Sequence, residues 1–427
     1  MTSPPGEVRV LLWSHIHREF AWMNVFKRIS AIALVFTLVA GSGVQPAQSF
    51  RSDSPKDVYH EAWKLVRDNF YEESFNGVNW KDYEHKYDSK IKSTEDAHKY
   101  IAQMLKVLND PYTRFLDPRA FQDENDAIDA KIVGIGISLQ QSKEKPSKLQ
   151  IVRTIEDGPA EKAGVRAGDE LIGIDGESSI GITPEQAANR IRGAAGSPVD
   201  LTVKRSNTEI RKVSIIRREI TIKAVRAKML DNNIGMIQLN TFISNDAARE
   251  FRGALRKLSR ADGLIIDLRG NPGGLLSNAL EIADMLLENG AIVSTISRNA
   301  KHTDIATGLP LTKQPIAVLM DSDSASASEI LASALHDNNR AVLVGTKSYG
   351  KGLVQEINKL PGGAAVHITV SRYLTPNNLD INKVGVKPDR LVEDKEAQVS
   401  AAISMLKDKI ASLKKPIHAT SALSVNQ

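Results

Sequence analysis

The chain of 427 residues contains no cysteine. That excludes a thiol nucleophile, a disulfide framework and a Cys-type zinc site, and it leaves the fold to be held by its core alone. No low-complexity tract and no short-period repeat runs through it, which excludes a solenoid. No long basic run stands out either. Lys plus Arg number 56 against 51 Asp plus Glu, a net of +5. Nucleic acid is therefore not an expected partner. Beyond residue 50 no apolar stretch approaches the ~18 residues of a membrane-span candidate. What is present is ordinary for a globular protein: 41% hydrophobic and 25% charged residues, which excludes a wholly disordered chain or a fibre. The length suggests roughly two to four domains.

Residues 1–50 read as an address. Lys27 and Arg28 precede an apolar stretch from Ile29 to Ala40, and small or polar residues follow to Ser49. The stretch is short for a span, which needs ~20 residues. A positive region, an apolar region and small residues together match a secretory leader, with cleavage expected near Ala47 to Ser49. Met23 is an alternative start that would make the leader compact. The mature protein is expected to be exported and soluble.

The remainder divides by pattern into four parts. Residues 51–128 read as helical: Ala97, Ile101, Met104, Leu105 and Leu108 recur on one helix face, with Ser93 or Thr94 as its cap. Polar residues Gln122 to Asp126 lead out of it. Residues 129–220 read as a small β-rich module with strands expected at 135–139, 149–154, 170–174 and 199–205. A helix opens at Thr183 and Pro184. Residues 221–394 alternate apolar strand-length runs with helical runs, which argues for an α/β layer with crossover connections. Residues 395–427 read as a closing helix and a loose tail.

Two local sequences in the α/β part carry chemistry. Ser324-Ala325-Ser326-Ala327-Ser328-Glu329 lies where a strand passes into a helix, and Gly350-Lys351-Gly352 follows the next strand. In a parallel β-α-β unit both junctions fall on one sheet edge, where reactive groups collect. A serine hydroxyl needs a base within hydrogen-bond reach. A lysine amine is a base only when neutral, and burial favours that state. Ser-Lys pairs are an established alternative to Ser-His-Asp. The helix beginning after Ser326 offers unpaired amides to an oxyanion. Plainer readings exist beside these. Ser326-x-x-Glu329 also fits a capping box, and Lys351 also fits a solvated loop. Gly345-x-x-x-x-Gly350-Lys351 nearly matches a phosphate-binding loop. The match fails because Gly352 stands where Ser or Thr is required and no helix follows.

Larger stretches then resemble known families. "GIGISL", "DGPAEKAGVRAGDELIGIDG" and "GSPVDLTVKR" resemble a PDZ domain of the bacterial, protease-associated type. The resemblance implies capture of a free peptide C terminus on a strand edge, with the carboxylate held by amides of the Gly134-Ile135-Gly136 turn. "DPYTRFL", "DLRGNPGG", "SASASEI" and "GTKSYGKGLVQ" extend the likeness over residues 57–389, which resemble the carboxyl-terminal processing proteases of the tail-specific serine peptidase family.

That family implies Ser326 as nucleophile, Lys351 as general base and Gln355 as the residue that positions the lysine. It implies Ala327 and Gly273 as oxyanion donors, with Gly274 as the alternative to Gly273. It further implies a crotonase-like (ClpP/crotonase-type) α/β protease core with an inserted PDZ domain and an N-terminal helical segment. No metal or other cofactor is expected. Expected substrates are proteins with a free, apolar C terminus, including membrane-protein tails at a membrane surface. The expected location is a periplasm or thylakoid lumen. The likeness is strongest to the cyanobacterial and chloroplast branch, which trims the photosystem II D1 precursor. One departure is Asp323, where many members have glycine. A non-catalytic PDZ scaffold and an acyl-CoA enzyme of the crotonase type remain as alternatives, the latter by fold analogy alone. His336 and His367 are expected to be structural.

Overall fold

Strands Gly263–Asp267 and Ile316–Met320 are buried at every position, the mark of strands covered on both faces. They form the centre of a six-stranded sheet in the computed structural model. The model describes residues 54–414 apart from 130, 143–146, 156, 206–208 and 222. The expected leader and the end of the expected tail lie outside the described residues. Asn125–Lys223 forms one compact unit, and the described residues before and after it form another.

In the larger unit the sheet runs Val225–Leu230, Ile234–Leu239, Gly263–Asp267, Ile316–Met320, Ala341–Gly345, Arg390–Leu391. The first pair is antiparallel and the rest are parallel. Successive side chains of a strand alternate between faces, and the two faces have separate cores. Leu264, Ile266, Val318 and Met320 pack with helices Ala247–Lys257, Leu276–Asp284 and Ala327–Asp337. Ile265, Ala317 and Leu319 pack with Ala402 and Leu406 of the closing helix Lys395–Lys414. Ile316–Met320, the Ala327–Asp337 helix and Ala341–Gly345 make a parallel β-α-β unit.

A second sheet departs from the expectation of a single α/β layer. Ala365–Leu374 pairs with Arg114–Leu116, Leu353–Lys359 and Ala291–Ile296. The physical reason lies in the connection. Only a single 3-10 turn, Pro361–Gly363, separates Leu353–Lys359 from Ala365–Leu374, so the chain returns as an antiparallel hairpin. Helices Pro55–Asn69 and Thr94–Lys106 form their own core, which includes Val366 and Ile368 of that strand. Both helices open on capping boxes, Ser54 with Asp57 and Ser93 with Asp96.

The stretch between them is less helical than its sequence suggested. Phe75 and Asn76 take positive φ, and only short 3-10 turns form there. Gln122 to Asp126 does not leave the helical region but lies inside helix Pro118–Ile128.

The smaller unit is a sheet in the order Ile137–Gln141, Leu149–Thr154, Glu170–Ile174, Pro198–Arg205, Glu209–Ile216, with Lys131–Gly134 paired separately to Arg218–Thr221. Helix Pro184–Ile191 is capped by Thr183 and packs on Ile137–Gln141, which is an edge strand.

Phe251 of helix Ala247–Lys257 is fully buried against the central sheet. Phe251→Ala is expected to cost about 3–5 kcal/mol, read as a lowered urea midpoint.

Candidate active site

The three serines of the SASAS run have different surroundings. Ser324 Oγ donates to the Leu268 carbonyl (2.8 Å), and Ser328 Oγ donates to the Asn271 carbonyl (2.8 Å). Both are essentially inaccessible, whereas Ser326 keeps 7% exposure. The outer serines tie the strand-to-helix turn to the Leu268–Gly274 loop. The middle one sits at the turn with φ 54° and ψ −115°, a region where a non-glycine residue costs about 1–3 kcal/mol. The surroundings hold it there. Its N–H donates to Glu329 Oε2 (2.8 Å), and its carbonyl accepts from Ile330 N (2.9 Å) and from the Tyr373 hydroxyl (3.2 Å). Glu329 thus makes the reach-back half of the expected capping box.

Gly273 packs directly on this turn. A Cβ there would stand 2.9 Å from Ala327 N and 3.0 Å from Ser326 Cβ, so only glycine fits at its φ of +102°. Its N–H donates to Asn271 Oδ1 at 2.9 Å. The expected oxyanion donor therefore lies beside Ser326 with its amide engaged. The neighbouring pairing with Phe242 uses the Gly273 carbonyl and the Leu275 N–H, not the Gly274 amide. Ala327 opens the helix, so its N–H is one of the four that helix geometry leaves without an internal acceptor.

Lys351 is 2% exposed. Gly350 and Gly352 allow this placement, because a Cβ on either would stand 2.8 Å from a backbone nitrogen, that of Gly385 or Asn382. The Lys351 amine lies 4.8 Å above the Tyr112 ring. Burial, reinforced by the Arg114 charge, pushes the amine down to about 7; Asp110, Glu329 and Glu124 oppose the shift. The Lys351 backbone is bound to the same two groups as Ser326. Its N–H donates to Glu329 Oε2 (2.8 Å), and its carbonyl accepts from the Tyr373 hydroxyl (2.6 Å). Glu329 Oε1 takes Ser348 Oγ (2.5 Å) and Gly350 N (2.6 Å). One buried carboxylate and one buried phenol thereby link the serine turn to the lysine loop.

Gln355 is wholly buried on Leu353–Lys359. Its Nε2 is 3.5 Å from Thr369 Oγ1, which donates to Asp110 Oδ2 (2.6 Å). Thr113 Oγ1 donates to the same oxygen (2.6 Å).

Comparison with known proteins gives the family. Residues 233–392 match peptidase family S41, residues 150–205 a PDZ domain, and residues 52–105 the tricorn protease C1 domain. A carboxyl-terminal-processing protease of Picosynechococcus sp. is 38% identical over 372 residues, 85% of this chain and 89% of that protein. The chain belongs to the carboxyl-terminal-processing protease family. Carboxyl-terminal-processing peptidase 3, chloroplastic, of Arabidopsis thaliana is 34% identical over 351 residues, 77% of this chain and 67% of its own. A solved photosystem II D1 C-terminal processing protease aligns with TM-score 0.59 and 29% identity, over 82% of this chain and 97% of that one. The fold is accordingly the mixed α/β fold of S41 serine peptidases, with a PDZ domain and N-terminal helices.

In the PDZ domain the Gly134-Ile135-Gly136 turn joins Lys131–Gly134 to the edge strand Ile137–Gln141. The carbonyls of Ile135 and Gly136 accept from Ala160 N (2.9 Å) and Ile155 N (2.8 Å). An edge strand beside a helix is the arrangement that takes up an extended peptide as an added strand.

Sequence reasoning did not find several partners of this site. It read Glu329 as a cap and gave no role to Asp110, Thr369 or Tyr373. The S-x-x-E spacing and the "DPYT" stretch were the available signals. It left His367 as structural, and the structure pairs that residue with Glu124 at 2.9 Å, both fully buried. Burial pushes Glu124 up to about 8 against the pull of Arg114 and Lys351, and burial also holds His367 well below its usual range. His336 lies between Asp337 and Asp389 in ion pairs, away from the hydrogen bonds described above.

Asp110 acts on the lysine through charge and on Gln355 through Thr369. Asp110→Asn is expected to lower kcat about 10-fold to 100-fold, as for a small misplacement of a reacting group. The Asp110 charge favours the ammonium. Its removal is therefore expected to move the acid limb of the kcat/KM profile to lower pH, a shift that loss of structure alone would not produce.

Proposed function

We propose that the chain is an exported endopeptidase that captures a free protein C terminus on its PDZ domain and cuts near it with Ser326 and Lys351. One observation carries the reading. A buried lysine whose amine sits at about 7 shares two hydrogen-bonding partners, Glu329 and Tyr373, with the strained serine. A solvated loop lysine has no need of such burial, and a peptide-binding scaffold has no use for the strain.

In this reading neutral Lys351 Nζ takes the Ser326 Oγ proton as the oxygen attacks the substrate carbonyl. The Ala327 N–H receives the oxyanion, and a second amide comes from Gly273 on leaving Asn271, or from Gly274. The Lys351 ammonium then protonates the leaving amine. A water deprotonated by the same lysine releases the acyl group. Gln355 holds the lysine, and Asp110 and Thr369 hold Gln355. The Gly134-Ile135-Gly136 amides take the substrate carboxylate.

The parallel sheet with helical crossovers supports a crotonase-like core. Residues 1–50 are read as the export signal to a periplasm or thylakoid lumen. Among the described residues no helix is long and apolar enough to cross a membrane. The solved photosystem II D1 processing protease supports the D1 precursor as a substrate; apolar tails of other proteins, membrane-protein tails among them, complete the proposed substrate class.

The test compares two peptides that differ only in a free or an amidated apolar C terminus. Cleavage is expected to need the free end and to fall about 10⁴-fold in Ser326→Ala and Lys351→Ala. The lysine is active when neutral, so kcat/KM is expected to rise as pH increases through about 7 and then level. A flat profile from pH 5.5 to 8.5 would count against Lys351 as the base. Binding of the free tail without cleavage would favour a scaffold.

A further inference from the structure

His60, His85 and Asp88 come together where the first helix meets the turns that follow it. His60 lies on helix Pro55–Asn69, and His85 and Asp88 lie in the non-helical stretch after Trp80–Tyr83. His60 Nε2 is 2.8 Å from Asp88 Oδ1, and His85 Nδ1 is 3.0 Å from Asp88 Oδ2. The two imidazoles meet edge to face at 4.9 Å. Among the described residues this is the one trio of His, Asp or Glu side chains whose ligand atoms all lie within 4.8 Å of one another.

We propose that this trio is a divalent zinc site that clips the turn to the helix. The donor set fits. Imidazole nitrogen with one carboxylate suits zinc rather than magnesium or calcium. Tetrahedral bonds of about 2.0–2.1 Å place neighbouring ligand atoms roughly 3.3 Å apart. The two nitrogen–oxygen distances, each to a different Asp88 oxygen, need to open by a few tenths of an ångström, and ligand atoms up to 4.8 Å apart need to close on one Asp88 oxygen, to admit the ion. Asp88 presents one oxygen to each ring, so either oxygen serves as a ligand after the His–Asp hydrogen bonds break. The side chains of His60, Asp88 and His85 are 33%, 29% and 68% exposed. A fourth position is therefore open to water.

The backbone beneath the site is already held in place. Trp63 Nε1 donates to the Trp80 carbonyl (2.9 Å), and Trp80 Nε1 donates to the Trp63 carbonyl (3.1 Å). The Tyr59 hydroxyl donates to the Tyr83 carbonyl. The ligands thus belong to two elements that are pinned to each other without the metal, so binding loses little to ordering. The absence of cysteine removes the stronger competitors for zinc. This departs from the expectation of a chain with no metal, and it is independent of the catalytic reading.

Zinc alone, titrated into the full chain by calorimetry, is expected to bind one ion per chain at this trio. His60→Ala and His85→Ala are each expected to weaken that binding more than about 10-fold, the floor for losing even an outer-shell partner. Asp88→Asn keeps the shape and is also expected to weaken it. Zinc is expected to raise the Tm of the wild type and not that of His60→Ala. His302→Ala and His336→Ala, each removing a histidine that pairs with carboxylates elsewhere, are expected to leave binding unchanged. Zinc affinity that survives both His60→Ala and His85→Ala, or that is lost in His336→Ala, would overturn the proposal.

Discussion

Four hydrogen bonds to one buried carboxylate hold this active-site region together. Glu329 accepts from the Ser326 and Lys351 amides on one oxygen and from the Gly350 amide and Ser348 hydroxyl on the other. A carboxylate out of water is costly unless its lone pairs are filled, and burial pushes this one up even with four donors in place. The donors come from the strand-to-helix turn and from the loop after the next parallel strand. The two junctions share an edge of the sheet, as the β-α-β geometry requires. The carboxylate turns that shared edge into a fixed relation between two backbones. The strain at Ser326 persists because the turn is held at both its amide and its carbonyl.

A second constraint reaches across the chain. Asp110, Thr113 and Tyr112 come from the N-terminal segment, and Thr369 and Gln355 from the hairpin near the end. Arg114 adds charge to the same surroundings, and burial favours the neutral forms of Glu124 and His367 beside it. The loop that follows the N-terminal helices therefore does more than connect them to the core. It supplies the Tyr112 ring over the lysine and the Asp110 acceptor that orders Thr369.

Much of this was legible in the sequence because it is local. The strands Gly263–Asp267, Ile316–Met320 and Ala341–Gly345 appear as short apolar runs between helical ones. The caps at Ser93 and Thr183 appear as side chains at fixed spacing. Ser326 and Lys351 are proposed from motifs whose residues are neighbours in the chain, and Gln355 from the family resemblance. What escaped was not local. The second sheet pairs Arg114 with His367, and no periodicity within either segment reports the other. Glu329 satisfies its cap motif and the lysine loop at once, and the motif alone discloses only the first use. The engagement of the Gly273 amide by Asn271 also depends on a loop geometry that composition does not encode.

The burial of Lys351 has a further consequence. In an unfolded chain its amine has the ordinary value of about 10.4 and is an ammonium at neutral pH. Its shift to about 7 comes from burial and the Arg114 charge, against the pull of Asp110 and Glu329. A base of this kind is absent from any partly made or threaded chain, because the residues that enclose it have not yet met. Proteolytic competence is then coupled to completion of the fold. On the proposed mechanism Ser326 has no partner to take its proton until the hairpin of Leu353–Lys359 and Ala365–Leu374 has met the segment that carries Tyr112 and Arg114.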